Sequence, residues 1–141
     1  MVVLDTNHLS ALERAGPSGT RLRDRLSTCG QDLFTTVISV EEQLRGRMGT
    51  ISRLARQPHM QIEAYQRFYE RVEHYARWSV LSWDNESADL FESHRKQGIR
   101  IGTLDLKIAC IAITHDALLL TQNTVDFAKV PGLRFEDWLV V

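Results

Sequence analysis

The sequence has no long hydrophobic run. Hydrophobic residues make up 43% of its 141 residues, yet no apolar stretch approaches the roughly 20 residues that a membrane-spanning helix needs. The apolar stretch at the N-terminus, Val2–Leu4, is far too short for a secretory signal peptide. We therefore expect no membrane segment. The length suits a single domain over residues 1–141 that buries roughly two-thirds of its unfolded surface.

Cysteine and proline are both scarce. Cys29 and Cys110 form no CxxC pair, and nothing in the sequence points to secretion, so we expect two reduced thiols in a cytoplasmic protein. The three prolines, Pro17, Pro58 and Pro131, stand where secondary structure should change. The chain has no internal repeat, low-complexity tract or linker. These absences leave an ordinary globular composition.

The charge has no excess of one sign, since the net charge is −1, but its distribution is uneven. Residues 1–43 carry 4 basic and 6 acidic groups, residues 44–78 carry 7 and 3, and residues 79–141 carry 6 and 9. A basic middle segment suits a polyanion that crosses it toward clustered carboxylates. Solvated helix faces give the same pattern, so charge alone does not decide between these interpretations.

Short apolar runs alternate with segments of helical periodicity. The runs predict strands at residues 2–4, 33–37, 79–81, 117–120 and 133–135, and the periodic segments predict helices at about 6–15, 18–28, 40–54, 62–76, 84–96 and 103–113. This alternation predicts an α/β protein with a mainly parallel central sheet. In such sheets the functional site lies beyond the carboxyl ends of the strands.

Acidic and amide side chains fall at that edge of the predicted sheet. Asp5 follows the first strand, and Asn123 and Asp126 follow the fourth. Glu42 and Asp105 are expected in the first turns of two helices, and Ser39-Val40-Glu41-Glu42 has the S-x-x-E form of a capping box. In a parallel sheet these helix starts and strand ends share one rim, so the side chains can converge there.

Carboxylates gathered in one place repel each other unless a cation joins them. Oxygen ligands without histidine or cysteine favour hard ions such as Mg²⁺ or Mn²⁺. Such an ion activates water and neutralises charge on a phosphodiester under attack. We therefore interpret Asp5, Glu42 and Asp105 as metal ligands, and these three with Asn123 and Asp126 as the catalytic set.

Each acid also has a structural interpretation. Asp5, Glu42 and Asp105 can all stabilise helix N-termini, an effect of roughly 0.3–1 kcal/mol each, and Asp126 can cap a short helix. A metal cluster is nevertheless favoured, because Asp105 interrupts an otherwise apolar helix, where an unpaired carboxylate is costly.

Four sequence blocks carry a family resemblance. In order, "VVLDTNHLSAL", "ISVEEQLRGRMG", "IGTLDLKIACIA" and "LLLTQNTVDFAKVPGLRFEDWL" resemble the signature blocks of PIN-domain ribonucleases, in particular those of VapC toxins of toxin–antitoxin pairs. The resemblance implies a three-layer α/β/α fold and a metal-dependent endoribonuclease that is typically dimeric and held inactive by an antitoxin. Transfer RNA is a reasonable substrate for such a family.

The resemblance also assigns residues. The family's invariant acids fall on Asp5, Glu42 and Asp105, and the polar residue after the first acid is Thr6 or Asn7. Many members have a fourth acid where this chain has Asn123, so the site has one negative charge fewer and a second metal position is in question. Asp126 follows three residues later.

Several polar side chains near these acids are candidate RNA contacts, namely Thr6, Asn7, Arg45, Arg47 and Lys107. A solvated charged face explains the three basic residues equally well. His8 also lies near Asp5, where it can hydrogen-bond a reacting group. An antitoxin is expected to cover an apolar groove formed by the first two helices and the helix at 62–76.

Two other functions remain open. The missing fourth carboxylate is compatible with a PIN-like module that has lost catalysis and binds RNA or protein. A phosphatase with an aspartyl nucleophile usually has a second acid two residues after the first, and Asn7 occupies that position.

Overall fold

The computed structural model describes residues 1–140. Five strands alternate with seven helices in this part of the chain. In order they are β1 (Val2–Leu4), α1 (Thr6–Glu13), α2 (Pro17–Thr28), β2 (Leu33–Thr36), α3 (Val37–Arg53), α4 (Gln61–Ala76), β3 (Val80–Leu81), α5 (Asn85–Lys96), α6 (Thr103–Thr114), β4 (Leu118–Leu120), α7 (Thr124–Phe127) and β5 (Arg134–Glu136). All five predicted strands are present, and their ends agree within one residue.

The five strands form one sheet in the order β3-β2-β1-β4-β5, and every neighbouring pair is parallel. β1 lies in the centre, between β2 on one side and β4 on the other. The chain therefore forms β1, β2 and β3 as one half of the sheet. It then crosses back to add β4 and β5 on the other side of β1. A crevice beyond the carboxyl ends of β1 and β4 is the expected ligand position in this topology.

Helices cover both faces of the sheet, as the alternation of side chains along a strand requires. Val3 faces a core that contains α6 and Phe127 of α7. Val2 and Leu4 face the opposite way, into a core with Leu22 of α2 and Tyr75 of α4. The prediction of a three-layer α/β/α arrangement with a parallel sheet is confirmed.

The start of α3 differs from the sequence prediction. Thr36, the last residue of β2, caps α3 by accepting a hydrogen bond from the Ser39 amide at 3.1 Å, so the predicted capping box at Ser39–Glu42 is wrong. Glu42 consequently lies in the second turn of α3. At α1 the cap is Asp5, which agrees with the structural interpretation that the sequence offered for this residue.

The apolar stripe that predicted α4 is not buried. Tyr69 is 62% exposed and Ile62 is 56% exposed, and Tyr65 and Val72 are also exposed. α4 instead buries Ala64 and Tyr75. The helix therefore has a second apolar face that residues 1–140 leave uncovered. Within these residues, no helix is both long enough and apolar enough to cross a bilayer.

Candidate active site

Asp5 stands at the end of the central strand and is held there from both sides. Its amide donates to the carbonyl of Leu120 at 2.9 Å, which continues the β1–β4 pairing by one residue. One carboxylate oxygen accepts from the Thr6 amide at 2.8 Å and the other accepts from the Thr121 hydroxyl at 3.0 Å. Asp5 thus caps α1 and also presents its carboxylate in the crevice between β1 and β4.

Glu42 reaches the same crevice from α3. The Thr6 hydroxyl donates to Glu42 Oε1 at 3.3 Å, so one residue of α1 contacts the second acid while its backbone holds the first. The neighbouring Glu41 forms an ion pair with Arg45 one helical turn later. Adjacent side chains on a helix point about 100° apart. Glu41 therefore faces Arg45, whereas Glu42 faces Thr6 and the crevice.

Asp105, in the first turn of α6, belongs to a hydrogen-bonded group with two residues from the β4 end of the crevice. The Asn123 amide nitrogen donates to Asp105 Oδ2 at 3.0 Å and to Asp126 Oδ2 at 3.1 Å. The Asn123 backbone amide donates to the Thr121 hydroxyl at 3.1 Å. Asn123 therefore joins two carboxylates where a fourth acid would repel them.

The acids influence each other electrostatically. Burial raises the pKa of Asp5 above its ordinary value, against the opposing effect of hydrogen bonds from Thr6 and Thr121. Burial is also the main cause of the raised pKa of Glu42, and the charges of Asp5 and Asp105 raise it further. The pKa of Asp105 is raised by burial, then by Asp5. The three carboxylates that the sequence assigned to one site therefore lie within electrostatic reach of each other.

The donor set fits a hard divalent ion, because it consists of carboxylate oxygens without histidine or cysteine. Among residues 1–140, no three histidine, cysteine, aspartate or glutamate side chains are grouped so that they can hold one metal ion as they stand. These findings are compatible, since Coulomb repulsion acts over several ångströms and Mg²⁺ coordination requires about 2.1 Å. Hydroxyl and amide donors from Thr6, Thr121 and Asn123 now hold the separate carboxylates.

The candidate RNA contacts are dispersed. Thr6 is in the crevice, and Asn7 beside it is exposed. Arg45 is paired with Glu41, and Arg47 lines a polar cleft between α3 and α4. The Lys107 ammonium lies 5.5 Å from the centre of the Trp83 ring. Of these five candidate RNA contacts, Thr6 is the residue that hydrogen-bonds Asp5 and Glu42.

His8 does not take part in the crevice. It is completely buried, and its Nε2 accepts a hydrogen bond from the Trp138 amide at 3.1 Å. The interpretation of His8 as a partner of a reacting group is therefore wrong. Conversely, Thr121 was not assigned to the site from the sequence, although its position directly after β4 was a usable signal.

The comparisons with known proteins agree with this architecture. Residues 2–133 match the family described as PIN domain. Ribonuclease VapC1 of Haemophilus influenzae is 27% identical over 146 aligned residues, with 96% of each chain covered. A tRNA(fMet)-specific endonuclease VapC of Salmonella typhimurium is 25% identical, again with 96% of each chain covered.

A solved structure provides the same assignment in three dimensions. A chain of VapBC-1 from nontypeable Haemophilus influenzae superimposes with a TM-score of 0.75 at 26% identity, covering 99% of this chain and 100% of that one. The chain belongs to the PIN-domain family, with VapC ribonucleases among its relatives.

Proposed function

We propose that this protein is a divalent-metal-dependent endoribonuclease toxin of a toxin–antitoxin pair. The observation that carries the proposal is the convergence of Asp5, Glu42 and Asp105 on one crevice, where burial first, and then neighbouring charges, raise the pKa values of Glu42 and Asp105. Support comes from relatives that are named ribonucleases and cover 96% of the chain. The PIN-like binding module without catalysis has Asn123 as its support.

The three acids would hold Mg²⁺ or Mn²⁺, with Asn123 and Asp126 completing the catalytic set. When bound, the ion supplies Lewis acidity and positive charge opposite a phosphodiester. Asp5 contributes rigidity, because its position is fixed by β1 and by two hydrogen bonds. Thr6 orients Glu42. Asn123 holds Asp105 and Asp126 together without adding another negative charge.

The test is RNA cleavage by Asp5→Asn and by the wild type, each assayed with Mg²⁺ and with Mn²⁺. Asp5→Asn keeps the shape of the side chain and removes its charge, so we expect at least a 100-fold loss of cleavage. Asp89→Asn is the matched control, because Asp89 is an exposed acid on α5 away from the crevice. Equal cleavage by Asp5→Asn and the wild type would refute the mechanism and favour the binding module.

Transfer RNA is the substrate class we propose to assay first, since one relative is named for its action on tRNA(fMet). Thr6 and Asn7 are the proposed contacts nearest the scissile phosphate, and Arg45, Arg47 and Lys107 are proposed contacts with the RNA backbone. Replacing a basic residue that contacts a phosphate weakens binding and lowers its dependence on salt.

We further propose a small antitoxin as partner, and a homodimer as the toxin's own assembly. The matched solved structures include VapBC toxin–antitoxin complexes. The uncovered stripe of Ile62, Tyr65, Tyr69 and Val72 on α4 is an apolar surface suited to a protein partner. Co-purification with a co-expressed antitoxin should be weakened by Tyr69→Glu and unchanged by Val140→Ala, which alters an exposed apolar residue elsewhere.

Sedimentation that shows only monomer at high concentration would refute the dimer.

A further inference from the structure

The segment between α5 and α6 is fastened by one side chain, that of Arg95. Its Nη1 donates to the carbonyls of Ile99 and Ile101, both at 3.2 Å, and its Nη2 donates to the Thr103 hydroxyl at 3.2 Å. The guanidinium also lies 5.2 Å from the centre of the Phe91 ring. No carboxylate within residues 1–140 forms an ion pair with it. Both Nη atoms thus donate to the connecting segment or to the first residue of α6.

The way α5 ends explains why Arg95 can reach this segment. Gly98 has a φ of +83°, the left-handed conformation that glycine adopts most readily. The amide of Gly98 donates to the Arg95 carbonyl, and the amide of Ile99 donates to the His94 carbonyl, which is the Schellman pattern. The chain therefore reverses immediately after α5 and passes beside the Arg95 side chain.

The segment leads directly into the helix that carries Asp105. α6 begins at Thr103 with Gly102 as its cap, and no side chain caps this end. Its first backbone bond runs from the Leu106 amide to the Gly102 carbonyl at 3.0 Å. Thr103, which Arg95 contacts, is two residues before Asp105. Arg95 thus supplies the external support that the helix start otherwise lacks.

We propose that Arg95 is a positioning residue, which fixes the start of α6 so that the Asp105 carboxylate faces Asn123 and the other acids. The inference rests on the proposed function for its metal readout. An arginine suits the task because its planar fork can donate to three fixed oxygens, whereas lysine has a single ammonium on a flexible stem. Residues that orient a metal ligand typically contribute 10- to 100-fold to metal affinity.

The experiment compares Arg95→Met and Arg95→Lys with Arg100→Met. Arg100 lies in the same segment and is exposed, so it is a matched control. Mn²⁺ affinity is measured by paramagnetic resonance without RNA. We expect Arg95→Met to weaken it about 10-fold or more, Arg95→Lys to weaken it less, and Arg100→Met to leave it unchanged. Cleavage at limiting Mn²⁺ should fall in parallel and recover when Mn²⁺ is raised, with KM for RNA unchanged.

A readout without metal separates this inference from the proposed function. Amide hydrogen exchange at Leu106 should become faster in Arg95→Met and remain as in the wild type in Arg100→Met, because the helix start loses its support. Should Arg95→Met fail to fold, Arg95→Lys decides by the same measurements. If amide exchange at Leu106 and Mn²⁺ affinity are both unchanged in a folded Arg95 variant, the positioning role is refuted. If the wild type does not bind Mn²⁺ but amide exchange at Leu106 is faster in Arg95→Met, the metal function is refuted. The support of α6 by Arg95 is then still confirmed.

Discussion

At the scale of single residues, His8 shows how burial can change the use of a polar side chain. Its Nε2 accepts a hydrogen bond from the Trp138 amide, and its Nδ1 has no hydrogen-bond partner within residues 1–140. Burial lowers the pKa of His8 from 6.5 to about 4, with Asp137 opposing the shift. The ring is therefore neutral at pH 7, and its contact with Asp137 at 3.5 Å is not an ion pair there.

This lowered pKa predicts a loss of stability in acid. Below pH 6.5 the unfolded chain takes up a proton on His8 that the folded chain does not take up until about pH 4. The free energy of unfolding should therefore fall by about 2 kcal/mol between pH 7 and pH 5 on account of His8. Urea unfolding of the wild type and His8→Gln at both pH values measures the difference. Equal pH dependence in the two proteins would contradict the prediction.

The role of Asn123 becomes clear only from the residues that surround it in the structure. The sequence has an amide where the family resemblance implies a fourth acid, and this suggested a weakened site. In the structure its amide nitrogen contacts Asp105 and Asp126. An aspartate at this position has no hydrogen to donate when ionised, so it would repel both. Asn123 thus lowers the repulsion among the acids when no cation is present.

At the scale of secondary-structure elements, the contact between α1 and α2 depends on a single glycine. A Cβ added at Gly19 would lie 2.4 Å from the Ala11 carbonyl oxygen and 3.0 Å from that of Arg14. Both obstacles are backbone atoms, which cannot rotate away. The close approach brings Leu22 of α2 into the core with Leu9 of α1.

Gly19→Ala should therefore destabilise the protein by about 1–3 kcal/mol, because the two helices must move apart. Gly46→Ala is the matched control, since a Cβ added in that part of α3 meets no atom within 4 Å. Alanine there should stabilise by about 0.5–1 kcal/mol through helix propensity. Chemical denaturation of both variants measures the two effects. A Gly19→Ala protein as stable as the wild type would mean that α2 can shift without loss.

The start of α3 shows the limit of local rules for an element. The S-x-x-E pattern at residues 39–42 is a reasonable helix-start signal, but β2 ends at Thr36 and delivers a better cap three residues earlier. The earlier start places Glu42 in the second turn of α3, whereas the sequence predicted the first turn. Glu42 is consequently free to contact Thr6 across the crevice and does not fold back on its own backbone.

At the scale of the whole molecule, the parallel sheet gathers like charges at one edge. Because the pKa values of Asp5, Glu42 and Asp105 are raised, the folded chain holds their protons more tightly than the unfolded chain. Stability on their account is present at low pH and decreases as the pH rises through the raised values. At neutral pH the ionised cluster opposes folding, and a bound cation would relieve it.

A divalent ion should therefore raise the unfolding temperature at pH 7. Binding to the folded chain at tenfold excess over Kd contributes about 1.4 kcal/mol, which corresponds to roughly 3–6 °C for a chain of this size. Without the ion, Asp5→Asn should melt higher than the wild type, and Mg²⁺ should raise its melting temperature less. Thermal unfolding with Mg²⁺, against NaCl of equal ionic strength, tests this. An equal rise in NaCl would attribute the effect to screening.

The sequence alone determined the alternation of strands and helices, and with it the position of Asp5 at the end of the first strand. These features follow from periodicity, which reflects whether neighbouring residues face the core or the solvent. It also indicated the family, because four blocks keep their order. The proposal that Asp5, Glu42 and Asp105 form the site came from the same four blocks.

Only the tertiary structure decided which groups hold those acids. Asp5 and Thr121 are 116 residues apart, and Thr6 and Glu42 are 36 apart, so no local pattern relates them. The exposed stripe on α4 and the support of α6 by Arg95 likewise depend on how elements pack. A periodic pattern shows that a helix has an apolar face, but which neighbour covers that face is settled by the assembled chain.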